Sequence, residues 1–224
     1  MDGAKIQSKV YYGYQQAAAR VGMPHGLYRS TDLFPPLENR NYLGDINAAM
    51  TVATASNFNF ARPSLLKDSA FACLADGKVL MVGDYLQRNS DSVVFFIGAM
   101  EPIMPIVAVR CNGSISYRRR PSAGLKPGLN TYQGPVLAAE TDVVDNIPAA
   151  IILQSSGRNT NANGLPSDAP GPLKFSILLS PTIDPQMHPV VGDTIWDDEG
   201  RRFLVGGVGD TPIALFLDVV HLVS

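Results

Sequence analysis

Apolar positions in the first 21 residues recur every three or four: Ile6, Val10, Tyr14, Ala17 or Ala18, and Val21. On a backbone of 3.6 residues per turn these fall on one stripe, so the spacing predicts an amphipathic helix over residues 3–21. Gly22 and Pro24 supply the stop, a residue that tolerates positive φ and then a ring that cannot continue the helix. From residue 23 to 62 the period is lost. Prolines, asparagines and glycines recur there, which predicts an extended arm with a turn or two of helix in "GDINAAMTVATA" at 44–55.

Beyond residue 63 the pattern changes to short apolar runs between turn signals, the mark of β-strands. Asp76-Gly77 separates the runs 71–75 and 79–81 and predicts a hairpin. Asn112-Gly113 is a stronger signal, because this dipeptide can supply the two positive-φ residues of a type I′ turn. It predicts a ribbon of "IVAVRC" against "SISYRR" in which Cys111 faces Ser114 and Val109 faces Ser116. Neither side of that ribbon is wholly polar, so both are expected to be covered, one of them by a neighbouring subunit. Residues 119–135 are rich in Pro and Gly and have no apolar period, which places the boundary between units there. "PAAIILQ" and "LKFSILL" follow as strands around a long polar loop at 155–172, a length that predicts a partner for it.

One phrase occurs twice. "VGDYLQRNSDSVVFFIGA" from 82 and "VGDTIWDDEGRRFLVGG" from 191 share a Val-Gly-Asp, a short strand, a polar turn and an apolar strand, and then Pro102 or Pro212 precedes a last apolar strand. The offset stays between 108 and 110. This predicts one antiparallel β-unit used twice, since solenoid repeats are far shorter. The fold class that results is mainly β: two related antiparallel barrel-like or sandwich-like units preceded by a helix and an extended arm. The expected division is 1–62 for helix and arm, 63–120 for the first β unit, 121–134 for a linker and 135–224 for the second β unit.

Composition narrows the function. Charged residues are 17% of the 224 and hydrophobic ones 46%, too few charges to coat an isolated molecule in the usual way, so part of the surface is expected to meet protein. A net charge of −2 gives no footprint for gripping phosphate backbones, and no sequence-specific nucleic-acid partner is expected. The run 92–109 is interrupted by Glu101, Pro102 and Pro105 and does not read as a membrane span. Cys73 and Cys111 fit no metal or redox spacing and read as buried free thiols, and no secretory leader is visible.

Chemistry is hard to find. Asp197, Asp198, Glu199 and Asp210 match no calcium loop and read as a solvated turn. His25, His188 and His221 form no metal motif, and "GGVGDT" lacks the third glycine of a dinucleotide loop. No catalytic, metal-binding or cofactor-binding residue is assigned, no cofactor is expected, and the chain does not read as an enzyme. Arg118, Arg119 and Arg120, with Arg201 and Arg202 in the second unit, read as a solvated strand end, as one side of ion pairs between subunits, or as a phosphate site. The candidate interface residues are these five arginines with Tyr11, Tyr14, Tyr117, Arg158 and Asn161.

Four stretches carry a resemblance: "KIQSKVYYGYQQAAARVGMPHGLYR", "LADGKVLMVGDYL", "AMEPIMPIVAVRCN" and "GDTIWDDEGRRFLV". Over most of its length the chain resembles an uncharacterised family of structural proteins of tailed bacteriophages and prophages. The last stretch is also similar to the "G-D-x-x-x-D-x-x-G-R-x-[FY]" phrase of small β-barrel head-closure and tail-completion proteins. The resemblance implies a virion component, made and assembled in the bacterial host cytoplasm, that forms a neck, head–tail connector or collar ring around the DNA channel. Its implied partners are identical subunits and neighbouring connector or tail proteins, with at most non-specific proximity to genomic DNA and no membrane. A tail or baseplate position is the alternative. A binding module of another kind, reading a host glycan or receptor through the 155–172 loop and the Tyr117 ribbon, is the competing class.

Overall fold

The computed structural model describes residues 3–29, 35–51, 69–102, 104–119, 140–154 and 173–222. Helix α1 (Gly3–Val21) precedes the first six strands, β1 (Met23–Tyr28), β2 (Tyr42–Thr51), β3 (Ala70–Leu74), β4 (Tyr85–Arg88), β5 (Val94–Ala99) and β6 (Ile106–Arg110). Six more follow: β7 (Gly113–Arg119), β8 (Thr141–Leu153), β9 (Lys174–Leu179), β10 (Thr194–Asp197), β11 (Arg202–Asp210) and β12 (Leu215–Leu222). Antiparallel pairing closes the first set in the order β1-β2-β3-β6-β5-β4 and the second in the order β7-β8-β9-β12-β11-β10. The two orders are the same. Each barrel is a pair of three-stranded meanders joined edge to edge, and closure leaves no unpaired strand edge in either.

The duplication is therefore complete, extending beyond the doubled phrase to all six strands. Even the irregularities repeat: the ladder shifts register at Gly98 in β5 and at Gly206 in β11, a β-bulge at the same place in each barrel.

Three expectations about the path of the chain are corrected. Residues 42–51 are strand β2 and not a helical turn, because Ile46, Ala48 and Met50 alternate into the barrel with the period of a strand. The arm expected over 23–62 thus holds two barrel strands. Asp76-Gly77 closes no hairpin, since β3 pairs with β2 and β6. Its aspartate instead accepts from the Lys78 N–H at 3.0 Å, within the connection that crosses from β3 to β4.

Asn112-Gly113 is the third case. Neither residue has positive φ, and β6 and β7 do not pair. The Asn112 side chain joins β8: its Oδ1 accepts from Ile151 N at 2.7 Å and its Nδ2 donates to Ile151 O at 2.9 Å, while its backbone N donates to Ala149 O. An amide that completes the ladder in this way carries the chain out of one barrel into the next. The junction between units lies here, so residues 113–119 open the second barrel. The expected linker at 121–134 falls between β7 and β8, outside the described residues.

Burial follows the alternation. Leu27, Leu86, Phe95, Ile97, Ile106 and Ala108 fill the first barrel, and Ile115, Tyr117, Ile177, Phe203, Val205 and Leu217 the second. A third apolar cluster lies between the barrels: Ala70, Tyr85, Phe96 and Val109 of the first against Ala150, Leu178 and Ala214 of the second. This is why "VVFFIGA" reads as an unbroken apolar run and "FSILL" is broken only by Ser176. Their two faces look into a barrel and into the barrel–barrel seam; in the "IVAVRC" stretch, for which cover on both sides is expected, Val109 and Cys111 likewise face the seam, so the cover there comes from the same chain.

Helix α1 packs on β2 and β3. Ala18 is buried, Ile6, Val10, Tyr11, Tyr14 and Ala17 are half-buried, and Val21 is exposed, so the predicted stripe holds except at its end. Gly22 does not adopt positive φ. Its missing side chain serves close approach instead, since a Cβ there would sit 3.1 Å from the Ala48 carbonyl carbon.

Candidate functional site: a duplicated corner and the faces around it

The Val-Gly-Asp phrase is a corner that anchors the connection crossing each barrel. In the first barrel Asp84 N donates to Met81 O at 3.2 Å, and Gly83, at i+2 of that turn, has φ +91°. In the second, Asp193 N donates to Val190 O at 3.0 Å and Gly192 has φ +96°. Such values define a type II turn, which favours glycine at that place. Each aspartate then turns its carboxylate back on its own turn, Asp84 Oδ2 accepting from Met81 N at 2.7 Å and Asp193 Oδ2 from Val190 N at 2.9 Å.

An arginine from the end of each barrel's first strand closes the corner. Arg29 donates to both oxygens of Asp84 at 2.7 Å, and its Nη2 also donates to Val79 O at 2.8 Å. Arg119 does the same to Asp193 at 3.0–3.3 Å, with Nη2 on His188 O at 2.7 Å. Asp84 is 1% exposed and Asp193 2%. Removing either guanidinium would leave a buried carboxylate short of a partner, an effect of about 3 kcal/mol when half of a buried pair is deleted. The corner is thus architecture, and it holds up aliphatic side chains: Met81, Val82, Val190 and Val191 are 57%, 38%, 47% and 65% exposed on the two turns.

The polar hairpin turns use one device with its ends exchanged. Arg88 in the first donates to Asp91 Oδ2 at 3.1 Å, whereas the matching position in the second is Asp197, which accepts from Arg201 Nε at 2.6 Å and from the backbone of Glu199 and Arg201. Asp197 is buried, which corrects the reading of the whole 197–200 turn as solvated. In both barrels the arginine lies over the same phenylalanine, Arg88 5.6 Å from the Phe95 ring and Arg201 5.8 Å from Phe203.

The interface candidates separate accordingly. Tyr117 is fully buried in the second barrel, where desolvation raises its phenol pKa, and it cannot meet a partner. Arg119 is committed to Asp193, Arg201 to Asp197 and Glu199, Arg202 to Glu140, and Arg118 to Asp142. Their carboxylates belong to the same chain, so each of these arginines already has an ion-pair partner within it. Arg118 and Arg202 flank Trp196, 5.8 Å and 5.4 Å from its ring. Tyr11 lies against Gly77, where a Cβ would come within 2.5 Å of its ring, and Tyr14 is half-buried. Arg120, Arg158 and Asn161 lie outside the described residues.

The other chemistry-bearing side chains are structural in their contacts. His188 Nε2 lies 2.8 Å from Ile183 O, and His221 stacks 5.5 Å from Phe203. Burial pushes the Cys73 thiol up to about 12 and the Cys111 thiol higher still. Among the described residues no three His, Cys, Asp or Glu side chains are grouped as metal ligands, and no helix is long and apolar enough to cross a membrane. Arg29 and Glu140 are residues that reading the sequence missed, and His25 is read there only as part of no metal motif. Only Arg29 left a signal, as an arginine closing an apolar strand in each half. Comparison with family models, with curated proteins and with solved structures finds no match.

Proposed function

We propose that the protein is an architectural subunit of a tailed-phage particle, a neck, head–tail connector or collar component that joins identical copies head to tail in a ring. The observation that carries this reading is the way the two barrels meet. They share one fold but do not use the same face. Tyr85 and Phe96 of β4 and β5 enter the seam, while their counterparts Thr194 and Leu204 stay out of it; Ala150 of β8 enters, and β2 contributes nothing.

A contact between unlike faces of like units is heterologous, and such contacts propagate into rings or filaments instead of closing as a pair. The chain already makes one such step within itself. The face that would make the next carries Leu204, 40% exposed, beside Trp196 and its two flanking arginines. Aliphatic side chains on the rigid corners add apolar surface to the same account, and the low charge content agrees with it. The virion setting comes from the resemblance of the quoted stretches, and tail or baseplate rings would use the same contact.

Negative-stain images and light scattering of the purified chain test the proposal. Ring-shaped particles are expected, and Leu204→Asp should reduce them to single chains with unchanged far-UV circular dichroism. A wild-type chain that stays monomeric at high concentration, or rings indifferent to Leu204→Asp, would refute head-to-tail assembly through this face.

A further inference from the structure

The two barrels differ most at one mouth. In the second barrel the register partners Ile115 and Asp197 stand there, and Asp197 has a full set of partners. In the first barrel the same positions hold His25 and Arg88, again opposite each other across β1 and β4. His25 is 1% exposed, yet no protein atom bonds its Nε2, and Arg88 Nε is likewise buried without an acceptor. Buried polar groups are nearly always paired, so two orphans in one place call for an explanation.

Both side chains line a cavity of about 190 Å³, whose other walls include Val21, Met23, Ala48 and Met50. Val21 and Met23 are exposed and form its rim. The hydrogen-bonding character of the two orphans is fixed by their neighbours. His25 Nδ1 is 2.8 Å from Met23 O, and a carbonyl only accepts, so Nδ1 carries the proton. In the neutral ring Nε2 is therefore a bare acceptor. Arg88 Nε–H is a donor, its Nη1 being occupied by Asp91. The site thus offers one acceptor and one charged donor beside the side chains of Val21, Met23, Ala48 and Met50.

We propose that this mouth binds a carboxyl group bearing a short apolar chain, taken up together with one proton. The carboxyl O–H can donate to Nε2 while its C=O accepts from Arg88 Nε–H. Moving the proton onto the ring gives an imidazolium and a carboxylate with the same two hydrogen bonds, and no other reactant is involved. The apolar chain fills the space between Met50, Ala48 and Val21. A carboxylate arriving without a proton would place its lone pairs against that of Nε2.

The charged groups that face the imidazole are Arg88 and Asp91; β2 and the end of α1 present only apolar side chains to the cavity. Burial, the largest influence, lowers the pKa of His25, so the free ring is neutral above the ordinary imidazole range. Each ligand bound above that range must then bring a proton from solution.

Sodium butyrate is the probe, followed by NMR through the His25 ring carbon and the Ala48 and Met50 methyls. We expect saturable shifts confined to this mouth, with affinity falling about tenfold per pH unit from neutral to moderately alkaline solution, as one-proton linkage requires. Butyramide, whose N–H and C=O suit the same acceptor and donor, should bind with no pH dependence from neutral upward, butanol should give no saturable shifts, and Arg88→Gln should weaken butyrate binding at least about tenfold, the effect of losing one charge-assisted bond. The pH dependence needs only the wild-type chain, so it decides the matter even if the variant misfolds. Butyrate affinity independent of pH, saturable binding of butanol, or no saturation by butyrate at about 100 mM, well beyond a millimolar ligand, would overturn the proposal.

Discussion

Replacing Gly83 and, separately, Gly192 by alanine tests the reading of the doubled phrase, because the two positions share a turn and differ in surroundings. Both have φ near +90°, so each alanine is strained by about 1–2 kcal/mol whatever lies nearby. For Gly192→Ala nothing is added, as no atom stands within 4 Å of the new Cβ. At Gly83 the new Cβ would lie 1.9 Å from Thr182 Oγ1, 2.4 Å from its Cγ2 and 2.6 Å from its Cβ. Rotating the threonine about χ1 removes at most one of the first two clashes, since its two heavy branches fill two of three staggered positions, and it leaves the third untouched. Its Cβ must retreat about 0.8 Å to reach ordinary contact at 3.4 Å, and that means moving the backbone after β9 or opening the seam. Overpacking of this kind adds about 1–3 kcal/mol.

Urea unfolding, followed by circular dichroism and by the fluorescence of Trp196, the chain's one tryptophan, should therefore rank Gly83→Ala below Gly192→Ala by that difference. In a chain of this size each kcal/mol moves Tm by about 2–4 °C. Thr182→Gly should recover most of the excess in the double variant and nothing in a Gly192→Ala background, a coupling of about 1–3 kcal/mol across the seam. Equal losses at the two glycines, or no rescue by Thr182→Gly, would refute the close packing of the first corner on the second barrel.

Two further outcomes follow from the titratable groups. Burial lowers the pKa of His25 in the folded chain relative to about 6.5 in the unfolded one. The native state then binds fewer protons, so this residue's contribution is complete above 6.5 and is lost as pH falls through the folded value. The difference in urea midpoint between wild type and His25→Gln should shift against the wild type on acidification and stay constant above neutrality; no pH dependence in that difference would contradict the burial. Cys73 lies inside the first barrel and Cys111 in the seam, both as protonated thiols whose ionisation burial suppresses. A thiol reagent should label neither in the native state, and Cys111 should react before Cys73 as urea rises if the barrels part before they unfold. Rapid native labelling of either thiol would refute its position.

The legible parts of the sequence were those where a local pattern met a local cause. The α1 stripe and the glycine of each Val-Gly-Asp corner are of that kind, since a helical period and a positive φ are set within a few residues. The corner's partner was not legible, because Arg29 and Asp84 are 55 residues apart and Arg119 and Asp193 are 74 apart. Asn112-Gly113 misled for a physical reason: the asparagine amide had a better use as a surrogate rung for β8 than as a turn residue. The first three strands of each barrel were missed as copies because their interiors are filled differently. Leu27 and Tyr117 occupy matching places with side chains of different size and polarity, and His25 stands where the second barrel has Ile115. The cavity at His25 left no trace, as it arises from a register pairing between β1 and β4.

What separates the two copies bears on why a chain would carry both. The corner, the bulge and the arginine over phenylalanine recur, and each holds a barrel closed. Differences inside the barrels, such as Leu27 against Tyr117, are accompanied by others on outward faces and at the mouths: Tyr85 and Phe96 against Thr194 and Leu204, and His25 with Arg88 against Ile115 with Asp197. The first pair of differences makes one face apolar enough to bury in the seam and leaves the matching face part polar, bearing Trp196 between two ion-paired arginines. A tandem of identical barrels could not do this, since each would present the same sticky face and association would have no internal stop. In the proposed ring, one face is thus buried within the chain, and the other, with Leu204 and its charged rim, is left for contact between chains at high concentration.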